Sequence, residues 1–137
     1  MDITINYLAV VAAAILAYAV GAIWHSPIGF GKYWMHLMGL NEGHMKSMPL
    51  SATQAMVIGF FVTLLMSFVL AHLVVLVGAG SVDTALQLGF WLWLGFLAPT
   101  LANGWLWEGK SPKLFGFNAA YALVNIEIMA LVLGLWH

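Results

Sequence analysis

The 137-residue chain contains no cysteine and no arginine. Without thiols, disulfides, thiolate metal centres and cysteine nucleophiles are excluded. Charge of either sign is scarce, at 7% of residues with a net charge of −1. The four lysines are scattered and form no basic patch of the kind that attracts nucleic acid. Enzymatic signatures are missing as well. There is no phosphate-cradling glycine loop, no Gly-x-Ser-x-Gly elbow and no His-Glu-x-x-His pair. No cofactor is expected.

What remains is apolar. Hydrophobic residues make up 64% of the chain, whereas soluble domains run at about 45–50% apolar and about 25% charged. Water cannot solvate that surface in so small a fold, but a bilayer can. A helix needs about 20 predominantly apolar residues to cross the hydrocarbon. Four stretches qualify: residues 3–24, about 52–78, about 85–107 and 114–136. The sequence therefore predicts one membrane domain over residues 1–137, an all-α antiparallel bundle of four transmembrane helices. The leader Met1-Asp2-Ile3-Thr4-Ile5-Asn6 is acidic, so the first stretch is read as a mature helix and not as a signal peptide.

The lysines set an expected orientation. Lys32 and Lys46 follow the first span, and Lys110 and Lys113 follow the third, so both pairs fall on one side. The positive-inside rule puts these loops in the cytoplasm and both termini outside. Trp24, Trp34, Trp105 and Trp107 then fall at the inner interface and Trp136 at the outer one, while Trp91 and Trp93 sit deeper. Between the first two spans, Phe30, Tyr33, Trp34, Leu37 and Met38 recur at helical spacing, with Lys32 and His36 on another face. This pattern predicts a short interfacial helix over about residues 29–39.

Within lipid, small residues that let backbones approach carry the packing signal. Ala9, Ala13, Ala17 and Gly21 form one such seam, and Ala55, Gly59, Thr63, Ser67 and Ala71 a second. The two are expected to meet in a close antiparallel pair. Pro99, inside the third span, removes a backbone hydrogen bond and crowds the carbonyl of Gly95, which predicts a kink.

Two ionisable residues fall inside spans, Glu127 and His72. Either is costly in hydrocarbon, by about 2.5–3.5 kcal/mol on insertion scales for an acid at a helix centre. Glu127 shares a face with Gly116, Ala120, Leu123, Ala130 and Gly134, which aims it into the bundle or at another subunit. The two residues differ in depth by about 6 Å, a gap that side chains can bridge. They could form a proton or cation site; the blander alternative is that each is hydrogen-bonded for packing alone. A second polar group gathers at the inner end, comprising His25, Asn103, Glu108, Asn118 and Asn125, with Gln54 beside it. Asn118, Tyr121 and Asn125 form a stripe that could line a watery cavity or simply bond neighbouring helices. His36, His44 and Met45 are weak metal-ligand candidates, since the loop's soft and imidazole donors form no repeated motif.

At Gly21-Ala22-Ile23-Trp24-His25-Ser26-Pro27, followed by Phe30-Gly31-Lys32 and Trp34, the chain resembles a family of small bacterial membrane proteins, domain of unknown function 1761. Trp93-Leu94-Gly95-Phe96, the segment Asn103 to Glu108 and Lys113-Leu114-Phe115 carry the resemblance further, over nearly the whole chain. It implies a four-helix fold in the bacterial cytoplasmic membrane and no established activity. His25 stands where the family pattern has Tyr, and Asn118 and Ala122 stand where it has Asp and His. A function resting on those residues in relatives would be lost or moved here.

The expected role is non-catalytic: a structural or assembly part, embedded in membrane lipid, acting as a homo-oligomer or as a subunit of a larger membrane complex. The alternative is a small transporter or channel for protons, cations or a small solute, using Glu127 and His72. A lipid-modifying enzyme would instead draw on His25, Asn103 and Glu108.

Overall fold

The computed structural model describes residues 3–39 and 48–137. Among these every regular element is helical. Helix α1 spans Tyr7–Trp24, α2 Gly31–Met38 and α3 Ala52–Val77. The next span is α4 (Val82–Leu92), a π-helical turn (Trp93–Leu97) and α5 (Ala98–Leu106) in unbroken succession, and α6 covers Pro112–Leu135. Four helical segments are thus long and apolar enough to cross a membrane: Tyr7–Trp24, Ala52–Val77, Val82–Leu106 and Pro112–Leu135.

Side-chain caps decide where these helices start. The first begins at Tyr7, later than the apolar run suggests, because the Asn6 side chain accepts from the Ala9 N–H. Ser51 and Gln54 form a reciprocal capping box at the start of α3. Ser81 and Thr84 do the same for α4, which sets that start at Val82. Ser111 caps α6, with Pro112 in the first turn where its missing N–H costs nothing. Gly78 ends α3 at φ 71°, a left-handed conformation that glycine adopts without strain.

Helix α6 is the hub. It packs against α1, α3, both halves of the third span and α2. Helix α1 and the third span run opposite to it: Asn6, at the start of α1, donates to the carbonyl of Trp136 beyond the end of α6, while Gly89 and Ala85 of α4 lie against Glu127 and Gly134. The Trp93 indole donates to the Ala119 carbonyl at 2.8 Å, joining the third span to α6. That bond accounts for a tryptophan lying deeper than an interfacial belt would place it. Helices α1 and α3 also run in opposite directions. Ser67 Oγ donates to the Val10 carbonyl at 2.8 Å, a buried bond that needs close backbone approach.

The small-residue seams divide their duties. Ala9, Ala13, Ala17 and Gly21 are all buried. On α3, Thr63, Ser67 and Ala71 are buried, Gly59 is half-buried and Ala55 is exposed. Gly21 and Gly59 make room for side chains and not for a facing backbone: a Cβ at Gly21 would collide with the Tyr121 phenol, and one at Gly59 would lie 3.2 Å from the Tyr18 hydroxyl.

Pro99 is accommodated by a wider turn. A proline ring clashes with the carbonyl four residues back, and the five-residue π turn that precedes it relaxes that crowding. The Ala98 N–H bonds Trp93 O, one residue further back than in an α-helix.

Candidate functional site

Three groupings of polar side chains bear on a site, one within the spans and two at the end that carries Lys32, Lys110 and Lys113.

The intramembrane place is Glu127. Its carboxyl lies against Gly89 on α4, where a Cβ would be 2.9 Å from Glu127 Cδ and closer still to Oε1. Only the missing side chain of Gly89 leaves room for it. Oε1 is buried and has no hydrogen-bond partner, an arrangement that costs about 1–3 kcal/mol. Glu127 therefore sits in the seam between the third span and α6.

His72 does not meet it. The His72 Nδ1 lies 2.8 Å from the Phe68 carbonyl, one turn back on its own helix, and its ring edge packs on the Phe68 ring at 4.7 Å. Among the described residues the one ion pair is Lys110–Glu108, 3.5 Å apart and well exposed. Similar depth did not bring Glu127 and His72 together: the Glu127 carboxyl lies against Gly89 of α4, while the His72 ring stays on its own helix beside Phe68. Of the other residues on the Glu127 face, Ala130 and Gly134 are buried, while Gly116 and Ala120 are exposed.

The polar group at the lysine end splits in two. Asn103, Glu108 and Asn118 line a small cleft of about 140 Å3 between α5 and α6, together with Thr100, Lys110 and Ser-capped Leu114. His25 and Asn125 belong elsewhere. Asn125 Nδ2 donates to the Tyr121 hydroxyl at 3.2 Å, while its Oδ1 is buried without a partner. His25 packs edge-on against Tyr121 at 4.8 Å and against Trp34 at 5.1 Å. Gln54 is spent on its capping box.

A tightly folded connection holds His25 there. After α1 the chain turns through Phe30 N–H to Trp24 O at 2.8 Å and Gly31 N–H to Ser26 O at 2.9 Å. A Cβ at Gly31 would lie 2.6 Å from the His25 and Ser26 carbonyl oxygens. Glycine is therefore required there, and this explains the Phe-Gly step after Ser-Pro. The turn packs Phe30 against Trp24 at 4.7 Å with the rings tilted 60°, and Phe117 and Tyr121 lie around them. Beside this cluster lies a cleft of about 430 Å3 bordered by Tyr18, Gly21, His25, Ser26, Met56 and Tyr121.

Gly89 and Tyr18 were not singled out by sequence reasoning. Gly89 follows Ala85 at a spacing of four in the third span, the same small-residue signal read in the first two. Tyr18 gives no sequence signal beyond its place one turn before Ala22. Among the described residues no three His, Asp or Glu side chains converge as a metal site. His36 is exposed on α2, and His44 and Met45 lie outside the described residues.

The comparisons with known proteins give a family and no activity. A family model described as "Protein of unknown function (DUF1761)" matches residues 8–134. The chain belongs to that family. No curated protein and no solved structure matches it.

Proposed function

Starting from that membership, we propose that the chain is a non-catalytic membrane component that works by assembly, as a homo-oligomer or as a subunit of a larger complex. In this reading the helices form an antiparallel bundle across a bacterial cytoplasmic membrane. Helix α2 lies in the inner interface, the lysine-bearing loops face the cytoplasm and both termini face outward.

The observation that carries the reading is the bare side of the third span. Trp91, Leu94 and Phe96 are exposed there, and so are Gly95, Pro99 and Thr100 around the π turn. Space beside Gly95 is open. Small residues beside a widened turn offer a second helix the close approach that drives association in lipid. The test is the mass of the full chain in nanodiscs and in mild detergent. Multimers that revert to monomers on Gly95→Leu, at unchanged melting temperature, support the proposal. A monomer in both media overturns the homo-oligomer, and absence of any co-purifying membrane subunit then overturns the assembly role.

A second reading is favoured by the unpartnered Oε1 of Glu127. A carboxyl held in the membrane with a free oxygen suits a proton or cation site, with the space at Gly89 beside it and without the His72 partner expected from the sequence. Proteoliposome flux that disappears in Glu127→Gln but persists in His72→Ala supports it. Flux equal to empty vesicles overturns it.

A further inference from the structure

We propose that the cleft bordered by Tyr18, His25, Ser26 and Tyr121 binds a primary ammonium group, presented by a lipid headgroup or by a small free amine. The hydrogen-bond polarity of the cleft carries the inference. The Tyr18 hydroxyl donates to the Met56 carbonyl at 2.5 Å, so its oxygen can only accept from a ligand. Ser26 Oγ donates to the Ile23 carbonyl at 2.7 Å and is committed in the same way. His25 Nδ1 lies 2.9 Å from the Gly21 carbonyl. A carbonyl accepts and never donates, so Nδ1 carries the hydrogen, and in that tautomer of the imidazole Nε2 is a bare lone pair. Among the described residues Nε2 has no hydrogen-bond partner, and it is not among the sealed polar atoms. Tyr121 accepts from Asn125 Nδ2, which leaves its own O–H as the free donor among the described residues of the cleft.

Three acceptors against one donor is a poor fit for a phosphate or carboxylate. Among the described residues no lysine lines the cleft either. A primary ammonium has three N–H donors and no acceptor, which matches this inventory. The Tyr18 and Tyr121 rings add aromatic surface of the kind that attracts cations. Backbone room is built in, because Gly21 and Gly59 accept the two phenol oxygens where any side chain would crowd them. The cleft lies where α1 ends, the depth at which a spanning helix leaves hydrocarbon for the headgroup layer. Its volume of about 430 Å3 takes a headgroup-sized ligand.

Native mass spectrometry of the full chain, released from nanodiscs of phosphatidylethanolamine, phosphatidylcholine and phosphatidylglycerol in equal parts, tests this. Retained phosphatidylethanolamine is expected to exceed each of the others about tenfold, the ratio that 1.4 kcal/mol of preference for the N–H donors produces. Tyr18→Phe and His25→Phe should each cut that preference at least threefold. Tyr7→Phe, at the opposite end of α1 and stacked on Phe68 at 6.4 Å, should leave it unchanged. Displacement by millimolar ethanolamine identifies the amine itself as the ligand; resistance to it identifies the lipid. Equal retention of the choline lipid overturns the donor-matching argument, and preference for phosphatidylglycerol overturns the proposal outright. Melting temperature in the same nanodiscs separates a misfolded variant from a binding-deficient one, with Tyr121→Phe as the second probe of the cleft.

Discussion

The third and fourth spans have similar lengths yet opposite fates. In the fourth, 39% of the most apolar 18-residue window is buried, and in the third only 11%. Helix α6 touches every other span. The third span is anchored to it most closely through Ala85, Gly89 and Trp93, with Trp105 stacked on Phe115 further along, while Trp91, Leu94 and Phe96 stay exposed. The lesson is that hydrophobicity does not choose the interior when lipid is as apolar as leucine. What chooses it is the set of places where backbones or polar atoms fit together. Met129 and Ala130 of α6 are fully buried, while Trp91 and Phe96 of the third span, far larger, are not.

This contrast can be broken by substitution along those anchors and away from them, measured by reversible unfolding in mixed micelles. Gly89→Leu should do the most damage, about 3 kcal/mol, because the new side chain must displace the Glu127 carboxyl. Gly134→Ala follows at about 2 kcal/mol: its Cβ would lie 2.7 Å from the Ala79 carbonyl oxygen and 2.9 Å from Ala85 Cβ. Trp93→Phe removes one bond from the third span to the Ala119 carbonyl and should cost about 0.6 kcal/mol, the average for such bonds in membranes. Gly95→Ala meets open space and should change stability by under about 0.5 kcal/mol. If the Gly89 and Gly95 variants behaved alike, the division between an anchored strip and a bare face would be wrong.

Much of the architecture was legible before any fold was known. Four runs of suitable length needed only the thickness of a bilayer to be recognised. Pro99 announced a disturbance, but the same ring can kink a helix or widen a turn, and local sequence does not choose between them. Glu127 stood out because an acid in hydrocarbon is conspicuous. Its neighbour did not, because glycine has no side chain to advertise a cradle. Depth alone suggested His72, yet depth says nothing about which side of a hub a helix approaches. Asn118 and Asn125 read as one stripe because they are seven residues apart and nearly eclipsed. Two turns separate them by about 10 Å, enough for one to line the cleft with Glu108 and the other to bond Tyr121.

The knot of hydrogen bonds after α1 has a consequence for how the chain is made. Its links join residues no more than six apart, from Trp24 to Gly31. Contacts so local close early and fast. The first span can therefore acquire its rigid elbow as soon as residue 31 emerges during synthesis, before any partner helix exists. Insertion then begins from a shaped hook that has already chosen the heading of α2, and the hub helix, made last, docks onto an aromatic platform that was waiting for it.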